Sequence, residues 1–460
     1  MGVPTLASVL FRLLIIANVV WWGLADAARA QGLALIRDAE IEHIIRSWTD
    51  PMLQAAGIDP AAVHIMLVND GTLNAFVAGG QNLFLNAGLL MASQSPGQVT
   101  GVIAHEIGHI AGGHLARSQD ALRSAENVSL LHALLGLGII ALGATTGASG
   151  AAGVGGAVMA GGQIAGYKTL LTYSRIQERS ADHAGLIYLD RTRQSARGLY
   201  RFLETLLDQE LLVVARQDPY LRSHPLTQDR LNFIDDHMRK SPWTEAPEPQ
   251  RRLLEHARMK AKLVGFLEWP ERVLRAYPLE DQSVPARYAR AVAYYRLPDL
   301  EQALAELDSL IAEQPNDPYF QELKGQVLFE NGRGATAIPY YETANRLEPD
   351  NPLLLTELAK VQIESGEPEL YRPAVEALER SAQLDPTNGM TWRLLAVGYG
   401  RDGDIGKSSL AAGELALLEG RPKDALLHTG RAQRLFAEGS PEWLQAEDIR
   451  KIAERHANKE

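Results

Sequence analysis

The sequence contains no cysteine, although the chain is 460 residues long. Disulfide bonds and thiolate chemistry are therefore excluded, and any bound metal must be held by histidine and carboxylate side chains. Positive charge is also scarce, because 45 lysines and arginines face 56 aspartates and glutamates, for a formal net charge of −11. This balance argues against a nucleic-acid-binding protein, which needs a basic surface to neutralise phosphates.

Apolar runs long enough to cross a membrane are missing near the amino end. Residues 13–25 are apolar, but this run is too short to span a bilayer. Arg12 precedes the run, and the sequence ARA at 28–30 has the small-x-small pattern of a leader-peptide cleavage site. We therefore expect residues 1–30 to be a signal peptide that is removed on export, with an uncleaved anchor as the alternative.

The rest of the chain is long enough for two or three domains, and a linker divides it. The stretch SPWTEAPEPQ at 241–250 is rich in proline and charge and poor in large aliphatic residues. We place a first domain at residues 31–245 and a second domain at residues 246–460.

The second domain carries a repeat that is marked by turn residues. Prolines recur at intervals of 37, 34 and 37 residues: Pro278, Pro315, Pro349 and Pro386. Glycines recur at intervals of 34 and 37 residues: Gly332, Gly366 and Gly403. Such periods are typical of tetratricopeptide helical hairpins, which stack into an α-solenoid with a concave binding surface.

The first domain contains the motif HEIGH at residues 105–109. The sequence SPGQ at 95–98 predicts a helix start, and we expect the helix to run to about Ser118. His105 and His109 then lie one turn apart on one face, close enough to share a cation. Zinc would activate water and polarise a carbonyl, and Glu106 would move the proton.

A catalytic zinc needs a third protein ligand, and four residues are candidates: His114, Glu178, His183 and His224. His114 lies one residue before the place of the third histidine in the metzincin pattern, so we interpret it as a supporting or structural residue. Glu178 and Asp182 are one helical turn apart, which suits a glutamate ligand followed by an aspartate that orients a ligand histidine. The alternative is a solvated acidic helix face.

Four segments of the first domain together resemble a known family: HEIGHIAGGH, SRIQERSAD, SHPLTQDRL and LNAFVAGGQNLFLNAGLL. They are similar to the HtpX-like and CAAX-prenyl-protease-like zinc metallopeptidases over about residues 74–230. With a leader before and tetratricopeptide repeats after, the whole chain resembles the BepA-like family of periplasmic β-barrel assembly-enhancing proteases. In the second half only the architecture matches.

This resemblance implies a periplasmic zinc metalloendopeptidase of the gluzincin type, with one zinc ion per chain. It assigns His105, His109 and Glu178 to the metal, Glu106 to acid and base catalysis, and Asp182 to a supporting position. It also implies that the repeats recruit unfolded or stalled outer-membrane proteins or the outer-membrane assembly machinery.

Two residues match the downstream motif of the family, His224 and Arg230. We expect His224 to face the zinc, either as a removable fourth ligand or as an oxyanion donor, and Arg230 to anchor substrate or a loop. Upstream, residues 72–90 alternate like a hairpin, which either offers an edge strand to an extended substrate or is an ordinary buried hairpin.

Residues 127–167 contain no charged side chain and 11 glycines. We interpret this segment as an apolar lid that covers the cleft and contacts a membrane surface, with Gly/Ala-rich helices packed on the core as the alternative. The expected fold is mainly α with a small β-sheet, a gluzincin-type metallopeptidase domain followed by a tetratricopeptide α-solenoid. Two other functions stay open: a chaperone or scaffold whose zinc is structural, and a membrane-bound enzyme that processes lipidated peptides.

Overall fold

The computed structural model describes residues 34–114, 175–207, 220, 224 and 228–457. The expected signal peptide and the expected lid at 127–167 lie outside these residues. The described residues form two compact units, one within 34–36 and 45–253, the other within 37–44 and 254–457. The second unit thus includes a short segment that the sequence analysis placed with the first domain.

The first unit contains a four-stranded sheet. Its strands are β1 (Leu35–Ile36), β2 (His64–Val68), β3 (Ala75–Ala78) and β4 (Asn82–Asn86). The order is β1-β2-β4-β3, in which β2 and β4 are parallel and the two outer strands are antiparallel to their neighbours. The hairpin expected from the sequence is confirmed by β3 and β4. All four residues of β3 are buried, which favours the ordinary hairpin over an open edge.

Among the described residues, the α-helices that accompany this sheet are α1 (Ala39–Ala55), α2 (Ala87–Ala92), α3 (Pro96–Ala111), α4 (Arg175–Arg191), α5 (Arg197–Leu206) and α6 (Gln228–Met238). The core contains buried apolar side chains from α1, the sheet and α3, among them Trp48, Met52, Leu67, Leu83, Leu85 and Val102. Such burial, at about 25 cal/mol per Å² of apolar surface, holds α3 rigidly in the middle of the unit. Helix α3 is the element that carries the HEIGH motif.

Helix α3 begins at Pro96, as the sequence predicts, but ends at Ala111. The expected extension to about Ser118 is therefore wrong. Gly112 caps the helix, and Gly113 adopts the left-handed conformation with φ of +61°, which reverses the chain.

The second unit consists of helices joined by short turns. They are α7 (Gln250–Leu267), α8 (Pro270–Ala276), α9 (Val284–Arg296), α10 (Leu300–Glu313), α11 (Pro318–Glu330), α12 (Gly334–Leu347), α13 (Pro352–Glu364), α14 (Tyr371–Leu384), α15 (Gly389–Arg401), α16 (Ile405–Leu418), α17 (Pro422–Gln433) and α18 (Pro441–Ala457). None of the described helices in either unit is long and apolar enough to cross a membrane.

The turns of the second unit repeat in structure as they do in sequence. Asp317, Asn351 and Asn388 each cap the following helix with a side-chain oxygen, at the same 34- and 37-residue spacing. The recurring glycines at 332, 366 and 403 all have positive φ angles. The predicted succession of helical hairpins is confirmed, and consecutive hairpins share apolar clusters.

The segment Arg37–Ile44 is held in the second unit by ion pairs. Glu40, which is 1% exposed, contacts Arg258 at 2.7 Å and accepts a hydrogen bond from the Tyr288 hydroxyl at 2.7 Å. Lys262, which is 2% exposed, contacts Asp38 at 2.8 Å. These contacts make the first turn of α1 part of the repeat unit.

Candidate metal centre

Helix α3 brings two histidines to one point, as the spacing predicts. The Nε2 atoms of His105 and His109 lie 3.1 Å apart, and both rings are almost fully buried. The i and i+4 positions place both side chains over the same stripe of the helix. Two imidazole nitrogens that converge in this way form half of a tetrahedral metal site.

Helix α4 supplies a carboxylate to the same point. The two oxygens of Glu178 lie 3.3 Å from His109 Nε2 and 3.4 Å from His105 Nε2. Helices α3 and α4 approach closely because Gly108 has no side chain: a Cβ there would lie 2.5 Å from the carbonyl oxygen of Ala181. His183, another candidate ligand on α4, points elsewhere, with its ring 6.0 Å from that of Phe233.

His224 completes the group from a distant part of the chain. Its Nδ1 atom lies 3.3 Å from His105 Nε2 and 3.3 Å from Glu178 Oε1. Its ring is fully buried and stacks on Tyr220 with 4.6 Å between centroids. Tyr220 was not singled out by the sequence, because no motif or periodicity surrounds it.

The distances within this group fit a tetrahedral metal ion. His105, His109, Glu178 and His224 each offer a ligand atom, and all these atoms lie within 4.8 Å of one another. A tetrahedral zinc site with bonds of about 2.0–2.1 Å has ligand atoms about 3.3 Å apart. The observed separations of 3.1 to 3.4 Å match that spacing.

Asp182 and Arg230 support the ligands from behind. Asp182 accepts a hydrogen bond from His105 Nδ1 at 2.8 Å. Arg230 is 4% exposed and donates to both oxygens of Asp182, at 2.7 and 2.9 Å, while its Nη1 contacts Glu178 at 2.8 Å. Asp182 thus lies against the ring of a candidate ligand, on the side away from Glu178. Arg230 faces the two buried carboxylates, which favours a role in fixing them over the expected anchoring of substrate or a loop.

The three buried carboxylates of the centre differ in their pKa values. Burial alone would raise the pKa of Asp182, but the Arg230 guanidinium and His105 hold it at about 2. Burial opposes ionisation of Glu178 as well, yet His224 and Arg230 hold its pKa well below the usual range. For Glu106, burial dominates and raises the pKa. The first two carboxylates are therefore fixed as anions, while Glu106 is poised to exchange a proton.

Glu106 lies beside the group without being one of its candidate ligands. Its side chain is fully buried, and among the described residues neither carboxylate oxygen accepts a hydrogen bond. The nearest partner is His224, whose Nε2 lies 3.3 Å from Glu106 Oε1. A buried carboxylate in this situation is costly for a purely structural site, and it is what general acid–base chemistry requires.

His114 lies behind His109. Its ring is 2% exposed, and its Nδ1 atom is 2.9 Å from His109 Nδ1. It is absent from the group of candidate ligands. His114 therefore contacts a candidate ligand without being one itself.

Two parts of the chain match models of known protein families. Residues 36–238 match the model of peptidase family M48, and residues 271–318 and 288–352 match a tetratricopeptide repeat model. The first part of the chain is therefore similar to M48 metallopeptidases, and part of the second is similar to tetratricopeptide repeats. The fold class expected from the sequence is confirmed.

Whole-length similarity points to a narrower group. The chain is 26% identical to the β-barrel assembly-enhancing protease of Yersinia pestis over 399 residues, which covers 85% of this chain and 79% of that protein. It is also 26% identical to the protein of that name from Escherichia coli K12, over 79% of this chain and 72% of that protein. A solved structure of MamA covers 36% of this chain with 16% identity and a TM-score of 0.31. The resemblance stated from the motifs is confirmed: the chain is similar to the β-barrel assembly-enhancing proteases.

Proposed function

We propose that the protein is a zinc-dependent endopeptidase of the cell envelope. The observation that supports this most directly is the buried group of His105, His109, Glu178 and His224 with Glu106 beside it, whose carboxylate accepts no hydrogen bond from the described residues. His105, His109 and Glu178 would hold the ion, as expected from the sequence. A zinc ion bound there would polarise a peptide carbonyl and make water more acidic.

The residues around the ion would then divide the work of peptide hydrolysis. Glu106 takes a proton from the attacking water and delivers it to the leaving nitrogen. Its pKa, raised by burial, lies closer to neutral pH than that of an exposed glutamate, which suits a group that must both accept and donate. Asp182 fixes the orientation of His105, and Arg230 fixes Asp182 and Glu178.

The position of His224 supports the role of a removable fourth ligand over that of an oxyanion donor. Its Nδ1 stands at ligand spacing from both His105 and Glu178. Catalytic zinc sites keep one position open for water and substrate, whereas structural sites fill all four. With His224 in the fourth position, the site has no open position and the enzyme is inactive. Substrate binding displaces the His224 side chain.

The substrates and location follow from the relatives. Proteins named β-barrel assembly-enhancing proteases share 26% identity with this chain over most of its length. We infer that this protein acts in the periplasm on unfolded or stalled outer-membrane proteins, and that its repeats recruit these clients or the assembly machinery. A cleft of about 330 Å³ in the repeat unit, lined by Trp392, Leu395 and Tyr399 among others, is a suitable contact surface.

Metal content and cleavage of casein by the purified chain test this function. Wild type is compared with Glu106→Gln, which removes the base and leaves the ligands, and with Glu178→Ala, which removes a ligand. We expect about one zinc ion per chain in wild type and in Glu106→Gln, with cleavage only in wild type, and neither zinc nor cleavage in Glu178→Ala.

The alternative of a chaperone or scaffold with a structural zinc predicts a different result. In that case Glu106→Gln leaves all measurable properties unchanged, because a structural site has no use for a base. Cleavage by Glu106→Gln at the wild-type rate, or a wild-type chain that holds no zinc, would refute the proposed peptidase.

A further inference from the structure

The turn that follows α3 folds the chain back against the helix it has just left. Gly112 and Gly113 donate backbone hydrogen bonds of 3.0 Å to Gly108 and Ile110. Gly113 has φ of +61°, a conformation that side chains other than glycine rarely adopt without strain. The next residue, His114, is thereby directed back under the end of the helix.

The space that His114 fills exists because Gly112 has no side chain. A Cβ atom at Gly112 would lie 2.4 Å from His114 Nε2 and 2.8 Å from the adjacent ring carbons. Such distances are well inside van der Waals contact, so any larger residue at this position displaces the imidazole. The two glycines therefore have separate effects: Gly113 turns the chain, and Gly112 makes room for the ring.

The ring of His114 meets His109 on the side away from the candidate metal. His109 directs Nε2 towards Glu178 and His105, while its Nδ1 lies 2.9 Å from His114 Nδ1. A neutral histidine that binds a metal through Nε2 carries its proton on Nδ1. That proton needs an acceptor. If His114 carries its own proton on Nε2, its Nδ1 can accept the hydrogen bond from His109 Nδ1.

We propose that His114 is a positioning residue, which accepts the Nδ1 proton of His109 and so fixes the ring orientation and tautomer needed to bind metal. This inference rests on the proposed function. His105 has a corresponding acceptor in Asp182, at 2.8 Å. The two ligand histidines thus have different supports, one a carboxylate and the other a neutral ring that adds no further negative charge.

Zinc affinity of the full-length chain, measured by competition with a chelator, tests the role of His114. His114→Leu keeps much of the volume but removes the acceptor, and we expect a 10- to 100-fold loss of affinity, the usual effect of losing such a partner. His114→Asn places Oδ1 where the imidazole has Nδ1, and we expect affinity within about threefold of wild type. A residue that only fills space would be replaced better by leucine than by asparagine.

Gly112→Ala provides an independent perturbation that keeps His114. The methyl group displaces the ring, so we expect a loss of affinity similar to that of His114→Leu. In the double variant Gly112→Ala/His114→Leu, the loss should equal that of either single change, because both remove the same interaction. Gly430→Ala on α17 is the matched control, because a Cβ there would meet only the flexible Arg434 side chain, at 3.9 Å, and it should leave affinity unchanged.

The outcomes separate this inference from the proposed function. Wild type that binds zinc while His114→Leu keeps wild-type affinity refutes the positioning role and leaves the peptidase standing. Fully additive losses in the double variant also refute it, since Gly112 would then act by another route. Wild type without zinc overturns both.

Discussion

Glu178 and Glu106 lie in the same buried centre, yet their neighbours give them opposite properties. His224 and Arg230 lower the pKa of Glu178 against the effect of burial, whereas burial prevails at Glu106 and raises its pKa. Glu178 therefore stays ionised, whereas Glu106 can accept and donate a proton. Environment, rather than residue type, assigns the roles of ligand and base.

His224→Ala distinguishes the two roles that the sequence leaves open. If His224 is a removable ligand, its loss opens the fourth position, and we expect casein cleavage to rise several-fold while zinc is retained by the other three residues. Initial rates and metal content measure this. A fall in rate would favour the oxyanion donor, and an unchanged rate would exclude both. His237→Ala is the control, because His237 is partly exposed and pairs with Asp190 on the surface.

Asp182→Asn tests the electrostatic support behind the ligands in the metal-free chain. The pKa of about 2 in the folded chain is lower than the ordinary aspartate value of 3.8, so the ionised carboxylate contributes about 2 kcal/mol of stability above pH 4. We expect this difference in free energy of unfolding between wild type and variant to be complete above pH 4 and to shrink as pH falls towards 2.

Urea denaturation at several pH values measures that difference. Asp235→Asn is the matched control, because Asp235 pairs with Arg239 on the surface, with side chains 37% and 74% exposed. Surface pairs of this kind contribute about 0–1 kcal/mol. A difference for Asp182→Asn that does not change with pH would contradict the proposed role of its charge.

At the scale of elements, the centre depends on how closely α3 and α4 approach. Gly108→Ala places a methyl group 2.5 Å from the carbonyl oxygen of Ala181, so the helices must move apart. We expect a loss of about 1–3 kcal/mol in free energy of unfolding and weaker zinc binding, because Glu178 moves with α4. Chemical denaturation and chelator competition measure the two effects.

The control for this helix contact is again Gly430→Ala, since the added methyl group meets only the end of the Arg434 side chain, at 3.9 Å. There, replacement of glycine should stabilise the chain by about 0.5–1 kcal/mol. Equal stability and zinc affinity for wild type and Gly108→Ala would show that the close approach is not needed.

At the scale of the whole molecule, the stability of the repeat unit depends on a segment that precedes it by more than two hundred residues. Glu40→Ala leaves Arg258 and Lys262 buried without their shared carboxylate, whose oxygens contact them at 2.7 and 3.5 Å. Removing one member of a buried ion network costs about 3–5 kcal/mol. We expect the thermal unfolding of the repeat unit to shift to lower temperature by a corresponding amount.

Glu42→Ala on the same helix is the matched control. Glu42 pairs with Arg37 at 2.8 Å, but both side chains are partly exposed, so the change should cost about 0–1 kcal/mol. Equal effects of the two substitutions, measured by calorimetry, would show that the buried network contributes little.

The sequence predicts features whose partners are close along the chain. His105 and His109 are four residues apart, and the repeat turns recur at fixed intervals, so local periodicity was sufficient for both. The end of α3 was misplaced by about seven residues. Gly112 and Gly113 are residues that often end a helix, but glycine also occurs inside helices. Only the buried position of His114 in the structure shows why the chain turns there.

Features that depend on distant contacts could not be derived from local pattern. His224 reaches His105 across 119 residues; residue type made it one of four candidate ligands, and the family resemblance then predicted that it faces the metal. The pairing of Arg230 with Glu178 and Asp182, and the stacking of Tyr220 on His224, have no local signature. The same is true of Arg37–Ile44, whose partners in the second unit carry no motif that names them.

The contacts of Arg37–Ile44 with the second unit also constrain the order in which the chain folds. Arg37 contacts Asp385 at 2.8 Å, across 348 residues. A chain that emerges amino end first exposes the charged residues of this segment long before their partners Arg258, Lys262 and Asp385 have been synthesised. Contacts of such long range form late and slowly. The ion pair between Arg37 and Asp385 therefore forms only after the chain has been synthesised beyond residue 385.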